Sequence, residues 1–158
     1  MLTTEQQATL KAFIEADQTL NAIPNTIDGA FAVADLINEE ASPSFVVWKT
    51  DLPTRDCKKA MVWTEYIARS VGERDAWQFM LSNGTINPAD ANVRQGILDI
   101  FSGPGGVGSR AALTAIAKRN ATIVEKLFAT GTGTDASPGT MTFEGTISYQ
   151  DVLAARNS

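Results

Sequence analysis

The glycine-rich stretch Gly103–Gly108 is the part of the chain whose residue types and spacing come nearest to a chemical motif. It reads Gly-Pro-Gly-Gly-Val-Gly and matches the G-x-G-x-x-G pattern of dinucleotide-binding proteins. That fold requires a strand directly before the glycines and alternating strands and helices around them. The preceding segment instead begins with the helix-start signals Asn87 and Pro88, and no alternating pattern surrounds it. The spacing therefore favours a flexible turn between two helices.

The same stretch has the glycine spacing of a nucleotide triphosphate-binding loop but lacks the residues that such a loop needs. Ser109 and Arg110 stand where Lys followed by Ser or Thr is required. Without that lysine the phosphate charge has no partner on the loop, and no aspartate closes a hydrophobic strand. We therefore expect no cofactor at this site.

The residue types also exclude most hydrolytic chemistry. The chain contains no histidine and a single cysteine, Cys57, so Ser-His-Asp triads, Cys-His dyads, Cys/His zinc sites and internal disulfides are all impossible within one chain. The acidic pair Glu39 and Glu40, and Asp99, fall on predicted polar faces or helix ends, where solvated charge is the common explanation. The sequence predicts a protein that is not an enzyme, with no catalytic, cofactor-binding or metal-binding residues.

Candidate partner-binding residues lie instead in the Gly/Thr/Pro-rich stretch 131–147, which is poor in strong helix formers. A segment of this composition cannot by itself bury enough apolar surface to offset its ordering entropy. It nevertheless leads into an apolar set, Met141, Phe143, Ile147 and Tyr149. These side chains must pack against the chain's own body or against a neighbouring subunit. The stretch is either a loose linker or a segment that orders against a neighbouring subunit. We favour the second interpretation and predict that the four residues bind a partner.

Helical periodicity and capping signals place these candidates on a mainly α architecture. Predicted helices begin at Thr3 or Thr4, Thr26, Thr54, Arg74, Asn87, Ser109, Thr122 and Ser148. The run 45–48 is a short strand or an extended buried connector, and 140–143 alternates like a strand. We expect a helical bundle of about six to eight short helices with a short β element and an extended Gly/Thr-rich C-terminal arm. The expected division is a helical body, residues 1–130, and an arm with a short C-terminal helix, residues 131–158.

The three tryptophans, Trp48, Trp63 and Trp77, are candidates for core or interface anchors. Large aromatic side chains dominate the energetics of both environments. We favour the core for these residues and keep the interface as the alternative.

Composition and charge narrow the class of protein. The 158 residues, 44% of them hydrophobic, suffice for one domain with a real core. The net charge of −5, from 13 basic and 18 acidic residues, argues against a protein that wraps nucleic acid, although it is compatible with a protein lining a passage for DNA. The chain has no apolar run of membrane-spanning length, and its first residues lack the basic-then-apolar order of a signal peptide. We expect no membrane contact and a cytosolic location where the protein is made.

From about Val47 to the C-terminus, the sequence resembles a family of small proteins from the structural gene clusters of long-tailed bacteriophages and prophages. The residues that carry the resemblance are Asn92–Gly103, Ala117–Thr122, Glu125–Phe128, Gly131–Thr134, and Ser137 and Pro138 through Phe143–Gly145. The resemblance extends over a long stretch of the sequence and is not confined to a short motif.

The resemblance implies a head-tail connector, or adaptor. Copies of such a protein form a ring, a dodecamer on the portal, that extends the DNA channel and docks the tail. The implied partners are the portal protein, a tail or head-closure protein, and DNA that passes without sequence-specific binding. The implied location is the neck of the virion, with the host cytoplasm during assembly. The alternatives are another minor virion protein, for head or tail completion, and a cytosolic enzyme or regulator that uses the glycine loop.

Two expectations follow for the arm. In connectors of this kind an extended arm often pairs with the portal or with adjacent copies by strand addition. Deletion of residues 131–158 is therefore expected to leave a soluble helical body that no longer assembles.

Overall fold

The computed structural model describes residues 1–158 and is mainly helical, with ten short α-helices, one 3₁₀ turn and six short strands. The helices are α1 (Thr4–Ala16), α2 (Gln18–Ala22), α3 (Ile27–Ile37), α4 (Thr54–Ala60), α5 (Trp63–Ile67), α6 (Val71–Met80), α7 (Ala91–Ile100), α8 (Val107–Ile116), α9 (Ile123–Leu127) and α10 (Tyr149–Arg156), with the 3₁₀ turn at Pro104–Gly106. The strands are β1 (Val46–Trp48), β2 (Leu52–Pro53), β3 (Thr85–Ile86), β4 (Lys118–Asn120), β5 (Ala129–Thr130) and β6 (Thr140–Met141). The predicted fold class, mainly α with minor β, is confirmed.

The chain divides into two compact units. Unit 1 consists of Met1–Val47 and Asn120–Ser158, and unit 2 consists of Trp48–Arg119. This division differs from the expected body, residues 1–130, and arm, residues 131–158. The C-terminal residues belong to unit 1 because their apolar side chains pack against its N-terminal helices and form a common core.

Unit 1 is built around α10, which packs against α1 and α3. Apolar residues at helical spacing, such as Leu10 and Ile14 on α1 and Val33 and Ile37 on α3, are completely or almost completely buried. The whole core comprises Leu2, Leu10, Ile14, Leu20, Ala30, Val33, Ala34, Ile37, Val124, Phe128, Ile147, Val152 and Ala155. An 8-residue helix such as α10 is too short to be stable alone, so its folding depends on this packing.

Local capping signals explain where several helices begin. Capping boxes close the N-termini of α1, α6, α9 and α10, through the pairs Thr3 and Gln6, Ser70 and Glu73, Thr122 and Glu125, and Ser148 and Asp151. The capping boxes of α1, α9 and α10 confirm the predicted starts at Thr3, Thr122 and Ser148. Helix α6 begins before the predicted Arg74. Asp17 ends α1 and caps α2 by accepting hydrogen bonds from two backbone N–H groups, so the predicted first helix is divided.

Unit 2 has its own core around Trp77 and Phe101, whose rings meet edge to face with centroids 5.2 Å apart. The other core residues are Leu52, Cys57, Tyr66, Leu81, Ile86, Ile97, Ile100, Leu113 and Ala117. Strands β2 and β3 pair antiparallel, with Leu52 opposite Ile86.

In unit 2 the predicted helix starts at Asn87 and Ser109 are wrong, whereas α4 begins at the predicted Thr54. Thr54 is not the N-cap of α4, because Pro53 occupies that position and no side chain makes a capping hydrogen bond there. The single helix expected from Thr54 is divided into two helices, α4 and α5. Asp90, not Asn87, caps α7 by accepting a hydrogen bond from the backbone N–H of Asn92. Ser109 lies buried inside α8, which begins at Val107.

The Gly-rich stretch of unit 1 folds as a loop between the antiparallel strands β5 and β6 and contacts β1. The backbone of Val46 accepts a hydrogen bond from Gly139 N–H (2.8 Å) and donates one to the carbonyl of Gly133 (2.7 Å). The Phe45 ring lies so close to both glycines that a Cβ atom would stand 2.1 Å from it at Gly133 and 2.6 Å at Gly139. Strand β1 covers the last three residues of the predicted run 45–48. Two of the arm's glycines, Gly133 and Gly139, provide space for the Phe45 ring.

The lengths of the helices bear on membrane contact. The longest helix, α1, has 13 residues. None of the helices combines the length and the apolar character required to cross a bilayer.

Candidate assembly surfaces

Two of the four predicted partner-binding residues, Phe143 and Ile147, pack inside unit 1. Ile147 is 4% exposed and belongs to the core. The Phe143 ring meets the Phe128 ring edge to face, with centroids 5.6 Å apart. The neighbouring-subunit interpretation favoured from the sequence is therefore replaced, for these two side chains, by the alternative that they pack against the chain's own body.

The other two predicted residues, Met141 and Tyr149, are partly exposed, as Phe143 also is, and Tyr149 packs against the same core as Phe143. Met141 lies in β6 opposite Ala129. The Tyr149 ring stacks on Phe31 at a centroid distance of 4.1 Å, and Phe31 itself is exposed on α3. A partner-binding role remains a prediction for these two residues.

Hydrogen bonds to the half-buried Asn38 and the buried Glu125 attach the C-terminal segment to the rest of unit 1. The Asn38 side chain donates to the carbonyl of Ile147 (2.9 Å) and accepts from its N–H (3.0 Å). Glu125, which is 2% exposed, accepts from Gly145 N–H at 3.0 Å. Deletion of residues 131–158 would therefore also remove Val152 and other members of the core of unit 1. The expectation that it leaves a soluble helical body stays a prediction.

Asp151 connects the start of α10 to the N-terminal residues of unit 1. Its carboxylate accepts hydrogen bonds from the backbone and hydroxyl of Ser148 and from the N–H of Leu2, the last at 3.1 Å. Partial burial raises the pKa of Asp151, but these hydrogen bonds to its charged form outweigh burial and hold the pKa below its usual range. The docked position of α10 therefore favours an ionised Asp151.

The glycine loop of unit 2 is closed by a carboxylate from the same unit. Glu65 on α5 accepts hydrogen bonds from the N–H groups of Gly108 (3.0 Å) and Ser109 (2.7 Å) at the start of α8. Hydrogen bonds from the Ser109 side chain and backbone lower the pKa of Glu65. These backbone donors are the groups that a phosphate would need at a helix N-terminus. In this structure the Glu65 carboxylate occupies that position.

Two arginines fix the carbonyl groups of the same loop. Arg69 donates to the carbonyls of Ser102 (3.0 Å) and Gly105 (2.9 Å), and Arg110 donates to those of Gly103 (2.8 Å) and Phe101. The turn predicted to be flexible is held by these bonds as a specific corner between α7 and α8.

The three tryptophans occupy three different environments. Trp77 is buried in the core of unit 2, as predicted. Trp48 is half-buried beneath the Arg94 guanidinium, which lies 4.7 Å from the centroid of the indole ring. Trp63 is 62% exposed, so the core assignment is wrong for this residue.

Trp63 forms the centre of one of two exposed apolar surfaces on unit 2. It lies with Val62 and Ile67 in an apolar strip, called here the α5 ridge, whose three side chains are all exposed. Trp63 also contacts Tyr66 with a ring-centroid distance of 5.3 Å. Three large exposed apolar side chains on the five-residue α5 and its N-cap Val62 form an apolar patch.

The second surface is a groove between α6 and α7, called here the α6–α7 groove. It has a volume of about 430 Å³ and is lined by Ala76, Phe79, Met80, Asn92, Val93, Gly96, Asp99 and Ile100. Gly96 allows the close approach of α6, because a Cβ atom there would stand 2.6 Å from the Met80 methyl carbon. Phe79 at the groove is 82% exposed. Phe79 was not among the residues predicted to bind a partner, although its position two residues after Trp77 places it on the other side of the helix.

The remaining reactive groups, the thiol of Cys57 and the carboxylates, form no metal-binding cluster. Cys57 is fully buried, and burial, together with the charge of Asp56, raises its pKa to about 11. No group of three or more His, Cys, Asp or Glu side chains is placed to hold a metal ion.

No protein-family model, curated protein sequence or solved structure matches this chain. Its function must be inferred from the sequence resemblance and from the surfaces that the two units expose.

Proposed function

We propose that this chain is a structural protein of a long-tailed bacteriophage neck, a head-tail connector whose copies form a ring beneath the portal. The observation that carries the proposal is the pair of exposed apolar surfaces on unit 2, the α5 ridge and the α6–α7 groove. Contiguous exposed apolar surface on a soluble domain usually marks a contact with another protein. Both surfaces also lie in the part of the chain, from about Val47 onward, that carries the resemblance to phage structural proteins.

The mechanism on this proposal is assembly, with no bond made or broken. Copies pack side by side through heterologous contacts that close into a ring, a dodecamer on the portal. The ring extends the DNA channel, and DNA passes through it without sequence-specific contacts. The net charge of −5 is compatible with this part of the proposal, because a chain without an excess of basic residues does not hold a sliding polyanion strongly.

Unit 1 offers a further apolar surface for the portal or for a tail or head-closure protein. Ile27 and Phe31 lie one turn apart on α3, both are exposed, and Tyr149 stacks beside them on Phe31. Aromatic residues at such positions are frequent anchors of protein interfaces. We assign this surface, called here the α3 face, to contact with a neck component other than the ring neighbour.

A nonsense mutation early in the coding sequence of this chain tests the proposal. The proposal predicts DNA-filled heads and separate, complete tails in the lysate, visible by electron microscopy, because head filling precedes joining. Supply of the wild-type chain from a plasmid should restore tailed particles. Normal tailed particles in the mutant lysate, or a block before heads are filled, would contradict the connector assignment.

A further inference from the structure

We infer that the dipeptide Asn83-Gly84 is a site of spontaneous covalent modification, at which the Asn83 side chain cyclises onto the backbone and is deamidated. Both residues are exposed and lie in the connection between α6 and β3. This chemistry belongs to unit 2 alone and does not depend on the proposed function. It would change both the charge and the backbone of unit 2 as the protein ages.

The reaction requires only the groups of this dipeptide and water. The backbone nitrogen of Gly84 loses its proton and attacks the side-chain carboxamide carbon of Asn83. The new C–N bond closes a succinimide ring, and the side-chain nitrogen leaves with the proton as ammonia. Water then breaks a C–N bond of the ring at either carbonyl and leaves aspartate or isoaspartate. In isoaspartate the main chain runs through the former side chain and is longer by a methylene group.

The Gly84 nitrogen is free to act as the nucleophile. Its N–H donates no hydrogen bond to the rest of the chain. A side chain on the residue after an asparagine hinders the attack, and glycine has none. The space around Gly84 is also open, because a Cβ atom there would have no neighbour within 4 Å.

The carboxamide of Asn83 is also free, whereas other asparagines are restrained. The Asn83 side chain makes no hydrogen bond within the chain. The Asn25 side chain donates to that of Asn157 at 3.1 Å. Asn87 accepts from the Ala89 N–H at 3.0 Å, and the proline that follows it has no N–H to attack with. Asn83 therefore combines a free side chain with an unhindered, free nucleophile.

The pair Asp28-Gly29 shows how the fold prevents the same ring elsewhere. Aspartate before glycine forms a succinimide with loss of water, so the sequence alone would select this pair as well. Gly29, however, is buried in the first turn of α3, and its N–H donates to the Thr26 hydroxyl at 3.1 Å. A Cβ atom at Gly29 would stand 2.0 Å from the Pro24 carbonyl oxygen, so there is no room around it. The nucleophile of this pair is therefore bound and enclosed.

The isoaspartate form would alter the attachment of α4. The Gly84 carbonyl accepts a hydrogen bond at 3.0 Å from the backbone N–H of Thr54, which is buried at the start of α4. The added methylene group lies directly before Gly84 and would displace this carbonyl. We expect the Thr54 N–H to exchange with solvent about tenfold faster, the effect of one lost hydrogen bond to a buried group.

The test follows the full-length protein during storage at physiological temperature in neutral and mildly basic buffers. Peptide mapping by mass spectrometry measures the deamidation of every asparagine, and anion exchange separates the forms that gain negative charge. Asn83→Gln is the matched control, because glutamine keeps the carboxamide but must close a larger, less favourable ring. The control changes Asn83 and not Gly84, because Gly84 has a φ of +80°, which favours glycine.

We expect Asn83 to deamidate at least about tenfold faster than any other asparagine, since only its successor lacks a side chain. The product should contain both aspartate and isoaspartate, and its rate of formation should rise with pH because the attacking nitrogen must lose its proton. Asn83→Gln should gain no charge at this position. Hydrogen exchange at Thr54 should be faster only in the isoaspartate form, whereas fresh Asn83→Asp, with the same charge and a normal backbone, should behave like the wild type.

An unmodified Asn83 after storage, or deamidation spread evenly over the asparagines, would overturn the inference. Equal exchange of the Thr54 N–H in the separated forms would overturn the effect on α4. The nonsense-mutation test of head-tail joining is unaffected by either result, so failure of this chemistry and failure of the connector assignment are distinguishable.

Discussion

Replacement of Asn38 by alanine tests how the C-terminal segment is attached to unit 1. The Asn38 side chain makes two hydrogen bonds to the backbone of Ile147, one as donor at 2.9 Å and one as acceptor at 3.0 Å. Ile147 is 4% exposed, so after the substitution its N–H and carbonyl would lose their partner where water has little access. Such unpaired groups cost more than the net worth of an exposed hydrogen bond.

The magnitude follows from the number of bonds. Each lost bond to a buried backbone group is worth about 1–1.5 kcal/mol, so Asn38→Ala should lower the free energy of unfolding of unit 1 by about 2–3 kcal/mol. A loss of that size corresponds to about 30- to 150-fold faster hydrogen exchange of the amides in α10, if α10 opens together with Ile147.

Denaturant unfolding and hydrogen exchange followed by mass spectrometry measure these two quantities. Asn25→Ala is the matched control, because the Asn25 side chain makes an exposed hydrogen bond to Asn157 at 3.1 Å. That control should change the free energy of unfolding by less than about 0.5 kcal/mol. If Asn38→Ala behaved like Asn25→Ala in both assays, the docking of the C-terminal segment through Ile147 would be refuted.

Three further substitutions test unit 2. Trp77→Ala should lower its free energy of unfolding by about 3–5 kcal/mol in a denaturant titration, because it empties the centre of the core, and an effect below about 1 kcal/mol would contradict that position. Gly106→Ala should cost about 1–3 kcal/mol in the same assay, since the new Cβ would stand 2.0 Å from the Phe101 carbonyl oxygen; an unchanged midpoint would contradict the corner geometry. The folded pKa of Glu65 is lowered, so its contribution is present near neutral pH and is lost as the pH falls through that pKa. Glu65→Gln should therefore remove part of the acid-induced loss of thermal stability below about pH 5, and identical slopes would refute the role of Glu65.

Helix starts that depend on neighbouring residues could be predicted from the sequence. The hydroxyls of Thr3, Thr122 and Ser148 bind backbone N–H groups three residues later, and each start requires nothing beyond that short spacing. The predicted start at Ser109 failed because a tertiary contact outweighed the same signal. Ser109 is buried, and its hydroxyl accepts a hydrogen bond from the backbone N–H of Val62 at 3.0 Å.

The break between α4 and α5 explains why Trp63 was misplaced. Met61 and Val62 have extended backbone conformations, so α5 starts afresh and does not continue the periodicity of α4. In a continuous helix, Trp63 would share a stripe with the residues one turn before it. After the break Tyr66 is the buried aromatic residue of α5, and Trp63 faces outward. A periodic pattern predicts a buried face only where the helix is continuous.

The Gly-rich segment was misassigned because its partners are distant in the sequence. Composition alone indicates a segment that needs an external surface, but it does not show that Phe45 packs on Gly133 and Gly139. Likewise, no local signal connects Asn38 with Ile147. The need for burial was predicted from the apolar residues, whereas the identity of the covering surface is a property of the fold.

The assignment of this chain to the phage neck is tested most directly by quantitative mass spectrometry of purified virus particles. The number of copies of this chain per particle is compared with the number of portal copies in the same sample. The connector assignment predicts that the chain is present in a copy number equal to that of the portal protein. Its absence from purified particles would contradict the assignment and would point to a cytosolic enzyme or regulator.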